Sequence, residues 1–259
     1  NSLLDLAGGG DLGGFLAGER PRHVYYSAGR YDDPGAESMG QKGLRGSDLV
    51  FDLDADHLPA VDPETTSYAD MLAACKDALC RLLDLLESDF GFDDLQVVFS
   101  GGRGYHVHVR RADVLELDRR ARREIVEYVL GEGIEFDDVV STRAVSGSAG
   151  RTSPAQKRTL PDGGWAGRTR RRLDAFLEEL LEMDEADALD RLREFDGIGE
   201  GKATAARNAA IENREELARG NVDVHPAIYG VARLLFGDVV RTQSAPIDEP
   251  VTTDINRLI

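Results

Sequence analysis

The stretch Leu49-Val50-Phe51-Asp52-Leu53-Asp54 constrains the fold of this chain more than any other. An apolar run with carboxylates two residues apart reads as a β-strand, because side chains at i and i+2 leave the same face. Leu49, Phe51 and Leu53 would then bury one face, while Val50, Asp52 and Asp54 share the other. Two like charges side by side repel unless a cation sits between them. The cation that suits an all-oxygen donor set is divalent, Mg²⁺ or Mn²⁺. The plain alternative is a strand running out into a solvated acidic turn, stopped by Pro59.

A second unit has the form strand, turn, strand. Leu95 to Phe99 and Tyr105 to Val109 are apolar-rich runs joined by Ser100-Gly101-Gly102-Arg103-Gly104, which predicts a hairpin. Period two puts His106 and His108 on one face of the second strand. Glycines in the turn let backbone N–H groups approach an anion closely, and Arg103 and His106 add donors suited to phosphate oxygens. A tight hairpin with solvent-facing polar residues is the competing reading. The gathering of Ser100, Arg103 and His106 within seven residues favours an anion site.

Charge bears on the partner. A formal charge of -17 and a pI near 4.7 argue against a protein that coats nucleic acid generally. Lys42, Lys76, Lys157 and Lys202 are the only lysines; the other cations are arginine. A dense acidic surface poor in lysine matches proteins of salt-accumulating halophiles, whose solvent screens self-repulsion. Cys75 and Cys80 lie five apart in a helical pattern, about 7.5 Å of axial rise, too far for an unstrained disulfide. Reduced, buried thiols are expected, as in a cytoplasmic protein. No Cys-x-x-Cys supports zinc, and no apolar stretch is long enough to span a bilayer. The chain starts at Asn1 without methionine and stops at Ile259 inside an apolar-periodic segment, which reads as a piece cut at both ends.

The remaining elements follow from periodicity. Leu3 to Gly18 reads as a Gly-rich loop with a short helix, and His23 to Ser27 as a strand. Ser67 with Asp70 opens a helix whose stripe is Leu72, Cys75, Leu79, Leu82 and Leu86. Leu117, Ala121, Ile125 and Val129 mark another, closed by Gly131; its arginines 119, 120, 122 and 123 read as a solvated face paired with Glu116 and Glu124. Phe136 to Val140 reads as a strand. Pro154, Pro161, Gly163, Gly164 and Gly167 make a loop, and helices follow to Leu217. Gly197-Ile198-Gly199-Glu200-Gly201-Lys202 misses the Walker spacing by one residue and faintly resembles a helix–hairpin–helix turn. A simple turn between helices is the preferred reading. Pro226 to Phe236 is a further helix, after which Asp248 and Asp254 sit in an apolar-polar run.

In this order the pieces resemble the catalytic small subunit of archaeal and eukaryotic DNA primases. Phe51-Asp52-Leu53-Asp54 looks like that family's first motif, Ser100 to His106 like its second, and Ile247-Asp248 with Val251-Thr252 and Ile255 to Ile259 like its third. The resemblance implies an α+β fold, a primase-like mixed β-sheet catalytic domain with an inserted helical subdomain. The expected division is 1–151 and 222–259 for the catalytic domain and 152–221 for the insertion. It further implies that Asp52, Asp54 and Asp248 hold two Mg²⁺ or Mn²⁺ ions, with Asp254 ranked behind Asp248. Ser100, Arg103 and His106 would bind the incoming nucleotide. The implied activity is synthesis of short primers from nucleoside triphosphates on a single-stranded DNA template, with a primase large subunit as partner and no membrane. The composition points to a haloarchaeal source. Two features depart from the family. The usual zinc knuckle has no counterpart between Asp56 and Asp84, and the family's further nucleotide-binding histidine would fall after Ile259. Asp56 and His57 receive no role. The rivals are a repair polymerase of the same superfamily, an Asp-x-Asp phosphohydrolase and a non-catalytic nucleic-acid-binding module.

Overall fold

A computed structural model describes residues 11–59, 61–145 and 155–255. Leu3 to Gly10, the Thr152-Ser153-Pro154 part of the predicted loop and residues 256–259 of the third motif lie outside the described residues. The chain forms two compact units, 1–130 with 245–259, and 131–244. All strand pairings among the described residues are antiparallel, so the expected α+β class holds with antiparallel sheets in place of a mixed one.

In the first unit, a helix α1 (Leu12–Glu19) precedes the two-stranded pair β1 (Gly29–Tyr31) and β2 (Leu44–Ser47). The strand expected at His23–Ser27 is not formed there; β1 begins at Gly29 instead. Val24, Tyr25 and Tyr26 stay exposed and join no strand among the described residues, and Ser27 alone makes a bridge. The sheet that matters is β3 (Leu49–Asp54), β4 (Leu95–Phe99) and β5 (Gly104–Val109), in the order β3-β5-β4. Helix α2 (Tyr68–Ser88) covers one face of β3 and β5. Ser67 is its N-cap, the hydroxyl accepting from the Asp70 N–H at 3.2 Å. Leu49, Phe51, Leu53, Leu82, Leu85, Val107 and Val109 are fully buried. Edge strand β4 is different, with Val97, Val98 and Phe99 exposed.

Short helix α3 (Ala112–Leu115) leads to α4 (Arg119–Leu130). Arg120 and Glu124 form the expected i,i+4 pair at 3.1 Å, but Arg122 turns inward. Its guanidinium donates to the carbonyls of Leu117 (3.0 Å), Asp48 (3.0 Å), Ser47 (2.6 Å) and Val114 (3.4 Å). A buried cation is tolerated because main-chain oxygens replace its water. Cys75 is buried, but Cys80 is exposed, correcting the expectation that both thiols are internal. Five residues along a helix rotate a side chain by about 140°, away from the Cys75 stripe. Burial, reinforced by Asp54 and then Asp52, pushes the Cys75 thiol up to about 11.

The second unit contains α5 (Phe136–Val139), β6 (Ser141–Val145), β7 (Ala155–Thr159), α6 (Gly164–Glu182), α7 (Glu185–Arg193), α8 (Glu200–Glu212), α9 (Arg214–Ala218) and α10 (Pro226–Gln243). Residues 136–139 are helical, not a strand, because Glu135 and Asp138 form a reciprocal capping box. The predicted loop hides β7, which pairs with β6, and α6 begins before Gly167. Trp165, Leu173, Phe176 and Leu180 of α6 share this unit's core with Ile228, Val231 and Leu235 of α10. The small side chains Ala203, Ala206, Ala209 and Ala210 bury the inner face of α8.

Candidate active site

The register of β3 against β5 builds the site. Asp52 lies opposite His106, Val50 opposite His108 and Asp54 opposite Gly104. Asp52, Asp54, His106 and His108 therefore share one face, the one that α2 does not cover with Phe51 and Leu53. His106 Nε2 is 3.3 Å from Asp52 Oδ1. Both carboxylates are half-buried, and neither meets a lysine or arginine among the described residues. Asp54 Oδ1 accepts the Asp56 N–H at 3.3 Å.

The two strands approach closely at the turn end. A Cβ placed on Gly104 would lie 2.1 Å from the carbonyl oxygen of Leu53, so only glycine fits. Gly101 has φ +84, the left-handed region. Ser100 closes the turn, its N–H donating to Gly104 O (3.0 Å) and its Oγ accepting from Gly104 N–H (3.2 Å). Two further bonds hold the turn in place: Ala55 N–H to Arg103 O at 3.2 Å, and Tyr68 OH to Gly102 O at 3.0 Å. Arg103 itself pairs with Asp56 in the 3-10 turn that follows β3.

Asp248 arrives along the free edge of β3. Its N–H donates to Asp52 O at 2.9 Å, and Thr252 Oγ1 donates to Val50 O at 2.8 Å. These bonds satisfy carbonyls that an edge strand would leave open. Asp248 is the residue before α11 (Glu249–Thr253), and its carboxylate makes no capping bond. Asp254 follows that helix, exposed. Among the described residues, no three His, Cys, Asp or Glu side chains gather tightly enough to hold a metal ion. The fold thus brings Asp52, Asp54 and His106 to one face and attaches Asp248 through its main chain. The all-carboxylate donor set of Asp52 and Asp54 suits a hard divalent cation.

Farther along the same face, His108 is buried. Its Nε2 is 3.3 Å from Tyr26 OH, and its Nδ1 has no partner. Burial holds this imidazole below its ordinary range; Arg110 and His106 push the same way and Asp48 opposes them. Sequence reasoning gave no role to Tyr26, Tyr68 or Asp56. Their contacts depend on the turn's docking, which has no local signature.

The sequence profile described as "DNA primase small subunit" matches residues 51–259. The chain belongs to the DNA primase small subunit family. Curated relatives agree. The DNA primase small subunit PriS of Natronomonas pharaonis is 79% identical over all of this chain and 66% of its own length. The Haloarcula marismortui protein of the same name is 63% identical over all of this chain and 65% of its own length. That of Methanosarcina acetivorans is 35% identical over 95% of this chain and 64% of its own. The chain therefore spans just under two thirds of these relatives. The first two come from haloarchaea, in keeping with the acidic, lysine-poor composition. Primase membership sets aside the phosphohydrolase reading. No helix among the described residues is long and apolar enough to cross a membrane.

Proposed function

We propose that this chain carries the catalytic centre of a DNA primase, which joins nucleoside triphosphates into short primers on single-stranded DNA. The observation that carries the reading is the cross-strand set of Asp52, Asp54 and His106 on one sheet face, beside a turn that presents Arg103. Asp52 and Asp54 would hold divalent ions, Mg²⁺ or Mn²⁺, with Asp248 as the third carboxylate. When bound, such ions lower the pKa of an attacking hydroxyl and neutralise charge on a triphosphate.

The remaining work falls to positioning and charge. Arg103 has donors beyond the one that meets Asp56, in a planar fork matched to phosphate oxygens. His106, next to Asp52, would donate from its ring to the same phosphates, and Ser100 from its hydroxyl. Gly104 and Gly101 keep the turn low enough for a nucleotide to approach. A strongly acidic surface offers only local basic patches to the template, so template affinity should fall with salt. The relatives' name, small subunit, suits a large-subunit partner.

The test is primer synthesis by the full-length protein with its large subunit at high salt, using ribonucleotides and circular, primer-free single-stranded DNA. The Asp52→Ala variant should make no detectable primer with Mg²⁺ or Mn²⁺ while its circular dichroism stays unchanged. Product from the variant at wild-type rate would overturn the assignment. Extension of added primers without de novo synthesis would favour a repair polymerase.

A further inference from the structure

One carboxylate beside the site, that of Asp56, is given no role in the reading above. Asp56 Oδ2 pairs with Arg103 Nη2. Its other oxygen, Oδ1, is shut off from solvent and accepts no hydrogen bond. A buried acceptor left empty is costly, so the carboxylate's place is set by the main chain around it as well as by its contact with Arg103. Two contacts hold it. The Asp56 N–H is tied to Asp54 Oδ1 at 3.3 Å, and the 3-10 turn is closed by Leu58 N–H to Ala55 O at 3.2 Å. On the other side, Ala55 N–H to Arg103 O and Tyr68 OH to Gly102 O fix the main chain of the glycine turn. With both backbones pinned, the Asp56–Arg103 contact decides where the guanidinium points.

We propose that Asp56 is a positioning residue for Arg103, holding its Nη2 end so that Nε and Nη1 face the triphosphate. The guanidinium is planar and rigid, so fixing one nitrogen sets the direction of the others. The pair is partly exposed, 41% for Arg103 and 25% for Asp56, so a solute can reach it. At that exposure the ion pair adds little to folding, and its effect falls on orientation. Asp56 also offsets part of the charge that a phosphate feels. Orientation wins here because a free arginine must be ordered anew at each binding event, which is worth about tenfold in affinity. The inference rests on the reading of Arg103 as a phosphate ligand.

The test uses the full-length protein and steady-state nucleotide incorporation by wild type, Asp56→Ala, Asp56→Asn, Arg103→Ala and the double variant Asp56→Ala/Arg103→Ala. Asp56→Ala should raise the nucleotide KM about tenfold and leave kcat within twofold. Asp56→Asn keeps an oxygen acceptor and should recover most of that loss. In the Arg103→Ala background the Asp56→Ala change should have no further effect, because its only route to the substrate is gone. Additive losses would overturn the proposal. So would a lowered KM, which would make Asp56 a competitor of the phosphates, or a collapse of kcat at constant KM, which would place it among the metal-holding groups. If Arg103→Ala itself leaves KM at the wild-type value, the phosphate reading of Arg103 fails and this inference falls with it. A raised KM for Arg103→Ala beside a silent Asp56→Ala sinks the inference alone.

Discussion

Two glycine-rich turns in this chain carry a basic residue, and they use it in opposite ways. In Ser100–Gly104 the cation, Arg103, pairs with Asp56 beside a face that carries Asp52, Asp54 and His106. In Gly197–Lys202 the Lys202 ammonium folds back onto the carbonyl of Gly197 at 2.9 Å. The first turn joins two strands of one sheet, and period two lines up carboxylates and imidazole beside it. The second joins two helices, α7 and α8, and its nearest cavity, about 490 Å³, is lined largely by apolar and small residues such as Ile198, Ala205 and Leu234. Glycine next to a cation is therefore not enough to make a phosphate site. What the flanking elements present to the turn decides it.

The two turns differ most in their steric surroundings. A Cβ on Gly104 meets a strand carbonyl, while one on Gly201 meets nothing within 4 Å. Gly104→Ala should cost about 3 kcal/mol or more, since β3 and β5 must part, seen as a lower denaturant midpoint. A midpoint unchanged from wild type would contradict the requirement for glycine where the strands approach. The next contrast is functional. Arg103→Ala should raise the nucleotide KM about tenfold, whereas Lys202→Ala should leave it within twofold. An equal effect of the two would erase the distinction between the turns. The smallest effect is Gly201→Ala, which sits in α8 in open space and should stabilise by up to about 0.5–1 kcal/mol through helix propensity.

Much of the site was legible because it is local. The alternation in Leu49–Asp54 set the carboxylate face, and the apolar runs either side of Ser100–Gly104 set the hairpin, as the observed register bears out. The α2 start was legible for the same reason: Ser67 and Asp70 are three apart. What failed depended on distant partners or on a rival local signal. His23–Tyr26 has β-type residues but joins no strand among the described residues, with only Ser27 making a bridge, and Phe136–Val139 yields to its capping box. β7 was hidden among Pro and Gly because its strand character comes from pairing with β6 and a bridge from Thr159 to Asn221, not from its own residues. Arg122 looked like one of four surface arginines; four carbonyl acceptors from two stretches, 47–48 and 114–117, make it a core residue. Asp56 was passed over for a similar reason, since Arg103 is distant in sequence and meets it only once the hairpin has docked.

Whether Asp52 and Asp54 hold divalent ions, as proposed, is tested by ion binding without reference to turnover. Mn²⁺ titrated into the full-length protein at high salt, with free ion followed by electron paramagnetic resonance, should show bound Mn²⁺ in the wild type. That binding should be lost in the Asp52→Asn/Asp54→Asn variant while its fold is retained. Undiminished Mn²⁺ binding by that variant would contradict the account.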